Sequence, residues 1–340
     1  MIPTGKSLFI HRSRNCLDGS IEAIIQSCVD MGLSWIALKI GDAASDYYRS
    51  FDDMAFAILA FRAAGIKVWL WHYIYGGVWI DKAGVAHTGG ASPAQESAFA
   101  KQQVSALEAD GYIIDVEREY KVLSQKTRAE SYMAGLVGIG VPVALCSYRF
   151  PSLHTQLPWY TFLAGSDFHM PQVYHGPGRG IIDLERSYSE LMSLKTMPFV
   201  PVGRAYIGDG YPAPGPDGLE LIDFMGRVET KGCPGVSFWA MDFLTLHEGG
   251  AEREIAIAEY DWPGSTPPEP GPDQPLRMRV IRPVLNIRAG PGTGYADLGD
   301  LHEGDIVTVG NVSGNDAWVE ITPGRWACAR QANIQYLAKA

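Results

Sequence analysis

The 340-residue sequence lacks the features that mark several classes of protein. It has no run of lysine and arginine, and 28 basic against 38 acidic residues leave a formal net charge of -10. A nucleic-acid role would need a local basic patch that the sequence does not display. No stretch of about 20 consecutive apolar residues occurs, so no membrane insertion is expected. The amino terminus, MIPTGKSLFIHRSRN, has too short an apolar run for a secretory signal, and the chain is expected to be made in the cytoplasm without one. Cysteine is scarce: Cys16, Cys28, Cys146, Cys233 and Cys328 stand apart with no CxxC pair. They read as reduced, mostly buried thiols rather than a disulfide framework or a zinc site. His11, His72, His169 and His175 have no metal-ligand spacing, so no metal is expected. No Gly-rich phosphate loop follows the first strand, where IHRSRN stands instead, which counts against a nucleotide-binding sheet. No cofactor is expected.

What is present is a large apolar fraction, 46% against 19% charged, enough for a sizeable core. From Ser7 to about Tyr260 strand-like runs alternate with helical ones. The strand candidates are SLFIH, WIALKIG, IKVWLWHYIYG, YIIDVE, VPVALCSY, FHMPQVY, FVPVGRAYIG and GVSFWAM. Between them lie segments of helical periodicity such as IEAIIQSCVDMG, DMAFAILAFRAAG and GLELIDFMGRVETKG. Gly32, Gly65, Gly111 and Gly232 are placed to cap helices in the left-handed conformation. Strict alternation implies parallel strands with helical crossovers. Eight units predict a closed α/β barrel of the (β/α)8 TIM type over residues 1–261, with an open doubly wound sheet as the alternative.

Residues 262–276, WPGSTPPEPGPDQPL, read as a Pro/Gly-rich linker. After it, residues 277–340 change to short strands and tight turns, a small all-β module.

The stretch DGYIIDVEREY, Asp110 to Tyr120, sets acidic residues at the end of a strand that otherwise reads as buried. Residues two apart on a strand share a face, so Ile113, Asp115 and Glu117 point the same way. In a barrel that face is the interior, and the carboxyl end of the strand is the catalytic rim. Two carboxylates there repel, which raises the pKa of at least one, and a protonated acid beside an ionised one suits glycosidic cleavage. The pair can equally be strand-end residues paired with Arg118, Lys39 or Arg204.

The region resembles the barrel of the family 25 lysozymes among glycoside hydrolases, whose fourth strand carries an Asp-x-Glu pair. It is also similar to the chitinase-like family 18, in which Asp-Gly precedes a run ending Asp-x-Asp-x-Glu. Asp110 and Gly111 match that lead-in and Asp115 and Glu117 its end, while Ile113 replaces the further Asp, which favours the lysozyme relatives. Trp71-His72-Tyr73 resembles the lysozymes' Tyr-His-Phe, Tyr148 an aromatic closing the fifth strand, and Met170-Pro171-Gln172-Val173-Tyr174 a sixth strand ending in Tyr. One departure stands out: family 25 carries an Asp on the first strand, where this chain has His11 and Arg12.

The resemblance implies a retaining hydrolase in which the sugar's N-acetyl group is the nucleophile, Glu117 the general acid and Asp115 the residue orienting the acetamido group. It implies peptidoglycan as partner. Tyr73, Tyr174 and Trp239 are candidates for stacking on sugar rings, whereas Trp69 reads as core. Asp242 could bind sugar hydroxyls or cap a loop. Lys39 and Arg204, in apolar strands, need partners, either the pair or structural carboxylates.

The carboxy-terminal Leu285-Asn286-Ile287-Arg288-Ala289-Gly290-Pro291-Gly292 resembles the signature of bacterial SH3-type domains of cell-wall hydrolases. That likeness implies a wall-binding module raising the barrel's local concentration on its substrate, or one that only packs on the barrel. Together these imply an endolysin or autolysin acting on the wall after release. The alternatives are a non-catalytic wall-binding barrel, motivated by His11, and a family 18-like hydrolase of another N-acetylglucosamine glycan.

Overall fold

A computed structural model describes residues 1–206, 215–246, 249–263, 276–309, 312–313, 317–331, 334–335 and 337–339. Eight parallel strands close a barrel: β1 (Gly5–Ile10), β2 (Leu33–Asp42), β3 (Lys67–Ile74), β4 (Gly111–Val116), β5 (Val143–Tyr148), β6 (Phe168–Val173), β7 (Val202–Arg204) and β8 (Gly235–Trp239). Each pairs with its neighbours in chain order, and β8 closes on β1. Helices α1 (Ile21–Asp30), α2 (Met54–Ala63), α3 (Pro93–Ala106), α4 (Gln125–Leu136), α5 (Trp159–Ala164), α6 (Gly180–Leu194) and α7 (Gly218–Thr230) form the crossovers. This is the predicted (β/α)8 architecture.

Alternation along each strand splits the core in two. Phe9, Trp35, Trp69, Trp71, Ile113 and Phe168 fill the barrel interior, while Leu8, Ile36, Leu70, Ile114 and Leu145 pack outward under the helices. Bulky rings in the interior demand room elsewhere. Gly111 supplies it: a Cβ there would run into the Trp69 ring. Gly111 is therefore a strand residue and not the helix cap read from the sequence. Helix α3 ends earlier, and Glu108 takes the left-handed conformation near it, at φ 50°. Gly32, Gly65 and Gly232 do adopt positive φ.

Three further differences have physical causes. The run read as a strand over FVPVGRAYIG forms a ladder at Val202–Arg204 and an isolated bridge of Phe199 with His169, because Pro201 between them has no N–H to donate; its residues 207–208 lie outside the described residues. The loop after β3 holds an antiparallel hairpin, Val78–Ile80 with Ala86–Thr88. Helices α8 (Met241–Leu246) and α9 (Gly250–Glu259) follow β8. Helix α9 buries Ala256 and Ile257 among charged neighbours, too narrow an apolar stripe to stand out as a period.

The linker composition extends one residue too far at each end. Trp262 is buried in the outer core beside Tyr260, and Leu276 opens the strand Leu276–Val280. Residues 264–275 lie outside the described residues. Beyond them short antiparallel strands surround Val280, Leu285, Ile287, Trp318, Val319 and Ala327. At Gly290 of the signature the Tyr295 ring lies where a Cβ would stand, so a larger residue there would displace the ring. Phe56 and Leu59 of α2 pack against this second core. All five cysteines are buried, with no disulfide among the described residues.

Trp262→Ala is expected to destabilise the barrel by about 3 kcal/mol or more, the usual cost of truncating a buried Trp. Denaturant unfolding checks this, and an unchanged midpoint would show Trp262 to be peripheral.

Candidate active site

The register places the candidate residues at one end of the barrel. Asp115 on β4 lies level with Tyr73 on β3 and Cys146 on β5, and Tyr148 lies level with Gln172 on β6. Glu117 follows β4 directly and precedes a 3-10 turn over Arg118–Lys121. The side-chain amide of Gln172 donates from Nε2 to both carboxylates, 3.1 Å to Asp115 Oδ1 and 2.9 Å to Glu117 Oε1. One amide group, two strands along the barrel, thus ties the two acids together.

Asp115 is only 6% exposed. Burial first, and the Glu117 charge second, push its pKa well above the ordinary carboxylate value, with Lys39 opposing. Lys39 is the cation whose charge opposes that rise at Asp115. Its Nζ is 2.8 Å from Asp42 Oδ1 and 3.3 Å from His11 Nε2, and 5.0 Å over the Trp71 ring. Because burial, then Lys39, Arg12 and Arg14, lower the His11 pKa to about 3, His11 is neutral and accepts from Lys39. Arg204 lies over Tyr206 at 5.0 Å and donates to the His175 carbonyl at 3.4 Å.

Aromatic side chains line the mouth. Trp239 lies within 5.4 Å of Trp71 and 5.5 Å of Phe9, ring centre to ring centre, and is half-buried. Tyr174 meets Tyr206 edge-on at 6.1 Å. A cavity of about 410 Å³ opens beside the pair, lined by Glu117, Tyr148, Gln172, Tyr174, Arg149 and His154 among others. Burial above all, then neighbouring charges, raise the pKa values of Tyr73, Tyr148 and Tyr174, so these phenols serve as hydrogen-bond donors at neutral pH. A second groove of about 680 Å³, between Gln125, Trp159 and Leu194, has no barrel-strand residue in its wall.

Asp242 does not face the cavity. It is buried, and its two oxygens accept the backbone N–H groups of His11, at 2.8 Å, and Arg12, at 2.5 Å. Of its two readings from the sequence, the loop-tying one describes its contacts. The sequence reasoning missed Glu119, which is buried and accepts from the Tyr73 hydroxyl and from Arg118 Nε, the latter at 3.1 Å. The signal was there: acids recur at 115, 117 and 119, every second residue. It also missed Asp42, the acid at the end of WIALKIGD that holds Lys39. Among the described residues no cluster of three or more His, Cys, Asp or Glu has the geometry to hold a metal, and no helix is long and apolar enough to cross a membrane.

No family profile and no curated protein matches the sequence. The fold is similar to that of several solved structures. One is the spore cortex-lytic enzyme SleL of Bacillus cereus, at 10% identity and a TM-score of 0.53, covering 76% of this chain and 75% of that one. Another is a glycoside hydrolase family 18 N-acetylglucosaminidase from Paenibacillus barengoltzii, at 9% identity and a TM-score of 0.51, covering 76% and 99%. A third is the active domain 2 of a chitinase from Pyrococcus furiosus, at 11% identity and a TM-score of 0.51, covering 77% and 98%. At such identities the likeness establishes the (β/α)8 fold. Family 18, the second resemblance read from the sequence, is named by one of the three, and family 25 by none of them.

The charge arithmetic of Asp115 makes a stability prediction. Its folded-state pKa lies above the unfolded value, so the native state binds more protons and stability falls as pH rises from about 4 towards the folded pKa. Asn cannot ionise and escapes that loss. The melting temperature of Asp115→Asn relative to the parent should therefore increase between about pH 4 and about pH 7. A difference that is flat across this range, or declines, would refute the assignment.

Proposed function

We propose that the barrel is a glycoside hydrolase acting on N-acetylated glycans, with bacterial cell-wall peptidoglycan as its substrate, in the manner of an endolysin or autolysin. The observation carrying this reading is the pair Asp115 and Glu117 at the strand end, bridged by Gln172 with Glu117 on the cavity wall. The pair holds one proton, resting on buried Asp115. On cleavage that proton passes through Glu117 to the glycosidic oxygen as the bond to the leaving sugar breaks. The substrate's acetamido oxygen attacks the sugar's anomeric carbon from the other face. The positive charge that develops on the resulting ring then lies beside an Asp115 that has become anionic. Water attack reverses the flow, with Glu117 taking the proton.

Support comes from the phenol donors and aromatic floor, which suit a sugar ring. It comes also from the likeness in fold to barrels whose names are those of a chitinase, an N-acetylglucosaminidase and a spore cortex-lytic enzyme. On this reading the carboxy-terminal module is an SH3-type wall binder, and the chain acts on the wall after release from the cell that makes it.

Glu117→Gln should lower the release of reducing ends from purified walls or N-acetylated glycan by about 10²–10⁴-fold with folding intact, the usual contribution of a positioned acid. A thiazoline mimic of the cyclised intermediate should bind far more tightly than the substrate sugar. Undiminished turnover by the variant removes Glu117 from the acid role. Absence of any hydrolysis by the parent chain, with wall binding retained, favours a barrel that binds the wall without cleaving it.

A further inference from the structure

The chain is acidic overall, yet one side of the mouth is cationic. A cavity of about 690 Å³ is lined by Arg12, Arg14, Arg49, Tyr47 and Tyr48, with Asp46 and Asp52 as the acids on its wall. Arg49 is spoken for by Asp46, at 2.9 Å. Among the described residues Arg12 and Arg14 make no ion pair, and Arg12 lies 5.0 Å over the Tyr48 ring. The same ring is 6.0 Å from Lys39 Nζ, the cation acting on Asp115. Tyr48 therefore joins this cavity to the catalytic side of the barrel.

The cavity wall is also held in shape. Ser50 Oγ donates to the Ile10 carbonyl at 2.5 Å and accepts from the Lys39 N–H at 2.6 Å. The Ser50 carbonyl accepts from the Ser13 N–H at 2.9 Å. With Asp242 gripping the N–H groups of His11 and Arg12, the loops after β1 and β2 are pinned together. Arg12 over an aromatic face, with Arg14 on the same cavity wall, matches a carboxylate borne by a sugar residue.

We propose that Arg12 and Arg14, with Tyr48, form an anion subsite that selects glycans carrying a carboxylate near the cleaved sugar. This rests on the glycosidase reading and narrows its substrate class. Neutral N-acetylglucosamine polymers would leave the two cations unpaired. The carboxylate can be the free acid of a lactyl ether, as on a muramoyl residue that carries no peptide, or a uronate.

The test uses the full chain and three soluble oligomers of equal length: unmodified N-acetylglucosamine, one with lactyl-ether carboxylates, and one with alternating uronates. Binding is measured by calorimetry on Glu117→Gln, and kcat/KM on the parent. One acidic oligomer should bind at least roughly tenfold more tightly than the neutral one, as a charge-assisted contact predicts, and the lactyl and uronate arms identify the source of the carboxylate. In the Arg12→Gln/Arg14→Gln chain that ratio should collapse towards one, and rising salt should diminish it in the parent. Equal binding of all three oligomers, or a double variant that keeps the ratio, overturns the subsite. Failure of the parent to hydrolyse any oligomer, with charge-selective binding intact, would instead sink the glycosidase reading and leave the subsite standing.

Discussion

Placing Asp115 beside Glu117 at the end of a buried strand is unfavourable twice over: a carboxylate loses its water, and a second one stands next to it. The rest of the mouth is organised around that conflict. Gln172 brings an amide donor to both acids at once. Lys39 supplies opposing charge but divides it, since Asp42 and His11 also hold its ammonium. The cation is near enough to moderate the repulsion and too committed to abolish it. Asp115 consequently retains a proton at a pH where an exposed carboxylate has lost it. A site that fully neutralised the pair would be more stable and would have no proton to give.

Below the pair the interior is filled by apolar side chains. Trp35, Trp69 and Phe168 occupy the lower barrel, and Gly111, paired with Trp69, opens the same strand that carries Asp115 near its other end. The Asp110 carboxylate accepts the Val68 N–H at 2.8 Å, fixing β4 against β3 at the end remote from the acids. The sequence DGYIIDVE thus encodes one strand with a structural end and a chemical one. Asp110 anchors, Gly111 clears space, and the following residues alternate between helices and interior until the acids emerge.

The parts of this that were legible in the sequence are those governed by period. Alternating strands and helices implied the barrel, and a spacing of two put Asp115 and Glu117 on one face. What was hidden depended on where the chain turns after an element ends. Period cannot say that the 3-10 turn after Glu117 carries Glu119 to Tyr73, nor that Asp242 folds back on the N–H groups of His11 and Arg12. Gly111 looked like a helix cap because its neighbour in space, Trp69, is 42 residues away in the chain. The partners of Lys39 and Arg204 likewise needed the closed barrel, because both occupy apolar strands and period alone cannot say that Lys39 meets Asp42 and His11 while Arg204 lies over Tyr206.

The charge layout and the placement of the second core are connected through α2. A crossover helix begins where its strand leaves the mouth, so the first turns of α2 lie at the end of the barrel that carries Asp115 and Glu117. Phe56 and Leu59, in those turns, pack against the carboxy-terminal core, and the loop entering α2 carries Arg49 and Asp52 of the cationic cavity. On the proposed reading, a wall strand held by the module would be delivered to the side of the mouth lined by Arg12, Arg14 and Tyr48. Effective concentration depends on where a tether ends as well as on its length. A module packed at this position needs no long reach, because the surface it rests on borders the cleft.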